Sequence, residues 1–375
     1  MLKGKISIAI FIGTPVPVPV PNPVIEALSS VEVNTDTGSA SGFQLVFNFD
    51  SKSPLNTLLL LVGQTGPFVR VIIQATINGT DSVLMDGMIT NHQLTPNVQT
   101  GESVFTISGR DLTSVMDYID FSGLPYPCMP PETRVLLILA KYAVFGIIPM
   151  VIPSIFPDIP IVTEQIPSQQ GKDLEYITQL ATENGYVFYI EPGPVVGTNV
   201  AYWGPELKVG VPQKALNINM DAYTNITSLN FSFDDSNKSM PIVYIQNQQT
   251  RAPIPVPIPD INPLQPPLGL IPPIPVQFNK MTDTAKLNPV QALARGVAEA
   301  SSSSDAVTGT GSLDVVRYGA VLKARSLVGV RGAGDAFDGL YFVKSVKHKI
   351  QRGTYTQDFT LTRNGLVSTL PVVPA

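Results

Sequence analysis

Along much of this chain apolar residues take every second position. That pattern points to half-buried β-strands, because a strand sends alternate side chains to opposite faces. Isoleucines stand at 6, 8, 10 and 12, and Phe43, Leu45, Phe47 and Phe49 repeat the spacing. The clearest case is a hairpin near the C-terminus. Tyr341 to Ile350 alternates, and Gln351-Arg352-Gly353-Thr354 makes the turn. Beyond it Tyr355, Gln357, Phe359, Leu361 and Arg363 share one face, opposite Thr354, Thr356, Asp358, Thr360 and Thr362. Phe68 to Ile77 and Ser103 to Ser108 have the same β-rich character.

Four segments follow the helical period instead. Asp111 to Ile119 puts Leu112, Val115, Met116 and Ile119 on one face. Lys172 to Asn184 does the same with Leu174, Ile177, Leu180 and Ala181, and Gly185 supplies the stop. Glu132 to Phe145 is apolar nearly all round, which predicts a buried helix. Asn288 and Pro289 read as the N-cap and first residue of a helix bearing Val290, Leu293, Ala294, Val297 and Ala298.

Proline punctuates the rest. There are 35 among 375 residues, well above the usual share of about 5%. Pro15, Pro17, Pro19, Pro21 and Pro23 alternate with apolar residues or Asn22, and Pro253 to Pro275 holds ten prolines and one charge, Asp260. Proline cannot donate to a sheet ladder, so both runs are predicted as extended edges or polyproline II. Their Ile, Val and Leu side chains favour a place on a partner or on the protein's own surface over a solvated linker.

Charge is scarce. Lys and Arg number 24 and Asp and Glu 29, or 14% of the chain, where a globular protein carries about 25%. Disorder needs the opposite balance. No stretch offers the ~20 apolar residues of a membrane span; Val144 to Pro157 comes nearest and is broken by Pro149 and Pro153. Lys3 and Lys5 ahead of Ile6 to Ile12 have the form of a signal-peptide start, but no small-residue cleavage site follows, and the alternation makes the segment a first strand. A compact subunit of 40.3 kDa exposes roughly 14,500 Å². Burying about 1,500 Å² against each of two neighbours would hide roughly a fifth of it. Interface centres are poor in charge, so the composition fits an obligate oligomer. A net charge of −5 argues against general nucleic-acid binding. Leu313 to Arg363 alone has nine basic and four acidic residues, which suggests a positive face or a solvated strand surface.

No set of residues announces catalysis, a cofactor or a metal. Cys128 is alone, and His92 and His348 are too few for a His-rich site. His92 falls in a polar stretch read as a loop, and His348 shares a strand face with Val346 and Ile350. Gly329 to Gly339 lacks both dinucleotide and P-loop order and reads as a strand connection. Its Asp335 and Asp338 fall short of a calcium shell. Tyr202 and Trp203 suit packing better than a sugar platform, and Asn78, Asn225 and Asn237 open glycosylation triplets of low specificity.

Two segments carry a resemblance. Gly171 to Ile190 (GKDLEYITQLATENGYVFYI) is a helix, a glycine stop and an aromatic strand, with Tyr202-Trp203-Gly204-Pro205 following. Arg317 to Arg325, Leu327 to Gly334, Gly339 to His348, Gly353 to Phe359 and Leu361 to Leu366 continue the likeness. Together they resemble the baseplate hubs of the late control D family in contractile phage tails and phage-tail-like injection systems, and the hub part of type VI valine-glycine-repeat spike proteins. The likeness covers about half the chain, mostly after residue 170; residues 1–120 fit by architecture only, and the run Pro253 to Pro275 matches none of the pattern.

The resemblance implies a mainly β fold with several helices (α+β): two β-barrel-like hub domains plus helical and Pro-rich insertions. The expected divisions are a first barrel over 1–120 and a helical, Pro-rich connection over 121–170. A helix with the strands that begin the second domain covers 171–250, a Pro-rich insertion 251–285, and a helix with the C-terminal barrel portion 286–375. It further implies a non-enzymatic homotrimer, without cofactor, that joins a hexameric inner tube to a trimeric spike among other baseplate proteins. Such a hub is assembled in the bacterial cytoplasm and becomes part of a tail or injection particle. Because the sequence ends soon after its last strand, with no needle or lysozyme-like domain, the spike is expected to be a separate protein. The rival readings are a tail-tip cell-wall hydrolase and a carbohydrate-binding adhesin.

Overall fold

The computed structural model describes residues 6–14, 16–49, 68–96, 103–154, 160, 166–234, 238–246, 252–259, 265–275, 277–281, 289–302 and 305–370. The protein is mainly β with several helices, as the alternation predicts. Its first part supplies β1 (Ile6–Gly13), β2 (Val18–Pro19), β3 (Leu28–Asp36), β4 (Gly42–Phe49), β5 (Arg70–Ile77), β6 (Thr80–Pro96) and β7 (Ser103–Asp111). The middle supplies β8 (Ile147–Val151), β9 (Val187–Pro192), β10 (Asn199–Gly204), β11 (Gln213–Asn217), β12 (Ser228–Phe233), β13 (Ser239–Gln246), β14 (Pro253–Pro257), β15 (Gly269–Ile271) and β16 (Gln277–Met281). The end supplies β17 (Val307–Asp314), β18 (Leu327–Arg331), β19 (Gly339–Gln351), β20 (Thr354–Arg363) and β21 (Leu366–Ser368).

One large sheet runs β12-β17-β20-β19-β3-β4-β7-β6-β5-β1-β2, with β18 and β11 branching from β19. The predicted hairpin is its centre: Gln351 faces Thr354 and Ile350 faces Tyr355. On its other side β19 pairs with β3, from Ser345↔Asp36 to Gln351↔Ser30. The two ends of the chain are thus joined by a continuous ladder. Their inward side chains form one core, in which Leu45, Phe47 and Phe105 from the first part share a cluster with Val343, Tyr355 and Phe359.

A separate module sits in the middle of the sequence. Here β8, β10 and β9 form a small sheet, with β8 and β10 parallel. Two helices cover it, α2 (Pro131–Ala140) and α3 (Asp173–Asn184), α1 being the short Asn22–Ala27. Trp203, Tyr176, Leu139 and Ile147 lie in its own core. Gly185 ends α3 as foreseen, at φ 68°, its N–H returning to the Ala181 and Thr182 carbonyls. A Cβ there would stand 2.6 Å from Ala298 Cα, so the stop also lets α4 (Pro289–Ser302) approach. That helix packs on a third sheet, β14-β13-β16. The last helix is the single turn α5 (Val315–Tyr318), capped by Asp314, whose carboxylate accepts from the Val316 and Arg317 amides.

Four expectations are corrected. Asp111 to Ile119 forms a 3-10 segment, Leu112–Asp117, and not an α-helix. The Asp111 carboxylate accepts from the Thr113 amide and hydroxyl, and Ser114 donates to the Asp111 carbonyl. Such side-chain bonds compete with the helical ladder. Glu132 to Phe145 is not one buried helix: α2 stops at Ala140, a 3-10 turn takes Ala143–Phe145, and Leu136 and Leu137 are exposed. His92 lies within strand β6, opposite Ile107. The first proline run ends in α1, since Pro23 fits a first helical turn where its missing N–H costs nothing. Asn237, Asp260 and Asn288 lie outside the described residues.

Candidate assembly surfaces and the polar clusters behind them

The residues that invite a chemical reading are packing and locking elements. Trp203 is fully buried, edge-on to Tyr186 at 4.8 Å, while Tyr202 stacks on Tyr189 and donates to the Pro205 carbonyl at 2.6 Å. Neither ring is open to a sugar. Asn225 is buried and bonded to the Ala215 carbonyl, which removes that triplet from any glycan.

His348 is buried on the predicted face. Its Nδ1 lies 2.7 Å from the Tyr355 hydroxyl and 3.3 Å from the Gln357 amide nitrogen. Loss of hydration pulls it down to about 4, so it is neutral at pH 7. Gln357 in turn holds both the amide and the carbonyl of Leu322. His92 is on another strand against Phe105, so the two histidines do not form a pair.

The Gly329 to Gly339 stretch holds the end of β18 and the turn that leads into β19. Asp338 folds it by accepting from the Gly332 and Ala333 amides, at 3.2 and 2.7 Å. Gly332 has φ 84°, and a Cβ would meet the Ile218 carbonyl oxygen at 2.0 Å. Arg363, fully buried, then pins the loop: its guanidinium donates to the Asp338 and Ala336 carbonyls at 2.9 and 2.7 Å and lies 4.5 Å over the Tyr341 ring. Alternation placed Arg363 on the inward face, but nothing in the sequence marked the carbonyls that hold it. Among the described residues no group of three His, Cys, Asp or Glu stands ready for a metal ion.

Three buried polar clusters join the regions. Arg70 on β5 makes a two-point pair with Asp86 on β6, at 2.7 and 2.6 Å. The same pair reaches into the middle module, because Asp86 accepts from Asn199 at 2.9 Å and Arg70 donates to the Gly197 carbonyl at 3.1 Å. Arg325 ties the β3–β4 turn to β9: it donates to the Asp36 carbonyl at 2.6 Å, stacks 3.8 Å over Tyr189 and lies 3.6 Å from Glu191. Lys208 is held between Asp305, at 2.6 Å, and Glu206, at 4.0 Å; burial raises the Glu206 carboxyl. Each cation here has at least one acid beside it, and Lys208 is shared by two.

Part of the positive charge of Leu313 to Arg363 is matched within the subunit, while Arg317, Lys323, Lys344 and Arg352 remain exposed. Arg325 and Arg363 are buried, Lys347 pairs with Glu32 at 2.7 Å, and Lys349 with Asp358 at 2.6 Å. The surface also offers apolar groups. Leu136 and Leu137 on α2, Val144 after it, and Ile148 and Met150 on β8 are all exposed, and α2 packs beside β8. A second group, Ile254, Leu270, Ile271, Ile274 and Phe278, belongs to the proline-rich segment and its neighbours. An open groove of about 1160 Å³, floored by Ile6, Ile8 and Ile25, lies under the hairpin tip at Arg352. No helix among the described residues is long and apolar enough to cross a membrane.

No known family model matches the sequence, and no curated protein matches it. Solved structures do. A tail protein from Neisseria meningitidis MC58 shares 14% identity, with 96% of this chain covering 98% of that one at a TM-score of 0.62. The 43 kDa tail protein of prophage MuSo2 from Shewanella oneidensis gives 12% identity, 96% and 99% coverage, and 0.62. The E. coli c3393 protein, a type VI secretion component described as structurally similar to T4 tail proteins gp27 and gp5, gives 11%, 99% and 79%, and 0.53. At these identities the likeness is one of fold, and it runs nearly end to end: the chain has the fold of phage-tail and type VI tail-like proteins, as its baseplate-hub resemblance implied.

Proposed function

We propose that this protein is the structural hub of a contractile tail or tail-like injection machine. Three copies form a ring that joins a trimeric spike to a hexameric inner tube and nucleates the tube. It works mechanically, not as an enzyme, and is assembled in the bacterial cytoplasm before entering the particle. The observation that carries this reading is the shared fold over 98% and 99% of two tail proteins. The shortage of charge supports it, as do the exposed apolar side chains of α2 and β8, since a face of that kind favours cover by a neighbour. In this reading residues 1–120 and the pieces 171–250 and 286–375 are the two barrel-like domains, with 121–170 and 251–285 as insertions between them.

The test is the solution mass of the purified chain, alone and mixed with the spike and tube proteins of the same particle. A trimer that binds both supports the hub. A monomer at all concentrations that joins neither partner sinks it, and release of sugar from a cell-wall suspension would move the chain to the hydrolase class.

A further inference from the structure

The two alternating-proline runs share a geometric property that does not depend on the hub reading. In an antiparallel ladder the N–H and C=O of one residue point to the same side, and successive residues alternate. On β14 the inward positions are Ile254 and Val256, opposite Ile245 and Val243. The phase is fixed by the next inward residue, Ile258, whose N–H donates to the Pro241 carbonyl at 2.9 Å. Pro253, Pro255 and Pro257 therefore turn their backbone outward, and all three are exposed. The first run repeats this. Val20 donates to the Ile10 carbonyl at 2.9 Å and Val18 stands opposite Ile12, so Pro17 and Pro19 occupy the outward phase, while the Pro21 carbonyl is taken by the Val24 and Ile25 amides at the start of α1.

Among the described residues both strands are terminal: β2 ends the large sheet and β14 ends the three-stranded one. Their free edges consequently present carbonyl acceptors and, at these positions, no N–H donors. A further antiparallel strand needs each outward residue to exchange both bonds. Here it would find every donor deleted and its own carbonyls unpaired as water left. We infer that the proline runs are edge-sealing strands: each accepts one ladder, completes its sheet, and refuses strand addition by a second copy of this chain. The period of two is what this role requires, since one residue of slip would aim the prolines at the sheet and break the ladder that holds them.

Changing Pro253, Pro255 and Pro257 to Thr in the full chain restores three outward donors. Sedimentation velocity of that variant should show species beyond the wild-type mass at protein concentrations at least about tenfold lower than for the parent. Restoring Pro255 alone, in P253T/P257T, should reverse most of it. A triple variant with the parent's circular dichroism and the parent's mass across the range overturns the inference. So does a triple variant that fails to fold, because the prolines would then be acting as stiffeners of β14. The phase has its own check. Val256→Pro puts a proline on the inward side and should speed amide exchange along β13, and unchanged exchange would refute the assignment.

Discussion

The β19–β20 face of the large sheet and the middle module treat their surfaces in opposite ways. Around β19 and β20 outward lysines are matched by carboxylates on adjacent strands, and inward polar groups such as His348 and Gln357 are bonded to one another. The module of α2, α3 and β8–β10 shows Leu136, Leu137, Ile148 and Met150 to its surroundings, yet is fastened to the large sheet through Arg70, Asp86 and Asn199. The β19–β20 surface is charge-matched within the subunit. The module is anchored by charge on its inner side and left apolar on its outer side, as a docking element would be.

That contrast can be broken by removing the anchor. Asp86→Ala strands a buried guanidinium, and the expected loss is about 3–5 kcal/mol in urea unfolding. The double change Arg70→Met/Asp86→Leu should recover most of it, because a buried pair replaced by apolar groups is often close to neutral. Equal losses would mean that Asn199 and Gly197, and not the charge pair, hold the module.

The next effect is smaller and belongs to the large sheet. Folded His348 sits at about 4 against an ordinary 6.5, so between these values the unfolded chain binds the extra proton. Stability from this group is complete above about pH 6.5 and falls as pH drops towards 4, by roughly 3 kcal/mol in all. His348→Gln should flatten that part of the pH profile; an unchanged slope would place the titration elsewhere.

Much of the large sheet could be read from the sequence, because period two survives wherever one face is buried. The hairpin turn at Gln351 to Thr354 and the helix stop at Gly185 were legible for the same local reasons. What escaped were relationships between distant segments. β19 pairs with β3, but a strand's own alternation says nothing about which strand lies beside it. Arg325 and Arg363 are ordinary surface residues by composition, and they are buried because carbonyls and aromatic rings from elsewhere receive them. Asp111 to Ile119 had helical spacing, and the bonds of Asp111, Thr113 and Ser114 tightened it into a 3-10 turn that still buries Leu112 and Met116.

Two weaker perturbations sharpen the comparison. Lys349→Ala removes one exposed pair on the large sheet and should lower the thermal unfolding midpoint only slightly, by an amount that shrinks with added salt. Ile148→Lys with Met150→Lys should change subunit stability least, within about 0.5 kcal/mol. The same double change should abolish the proposed trimer in light scattering. A trimer that persists would show that this apolar face is not the one a neighbour covers.

The β3–β19 ladder also sets a timetable for synthesis. The Thr37 hydroxyl bonds the Lys344 carbonyl across 307 residues, and the flank of β3 that β19 covers has no partner until that late strand leaves the ribosome. At about 5–20 residues per second the wait is roughly 15–60 s. During it the nascent N-terminal strands carry an open edge without the proline protection found at β2, so newly made chains are most exposed to mispairing just before their last hairpin closes.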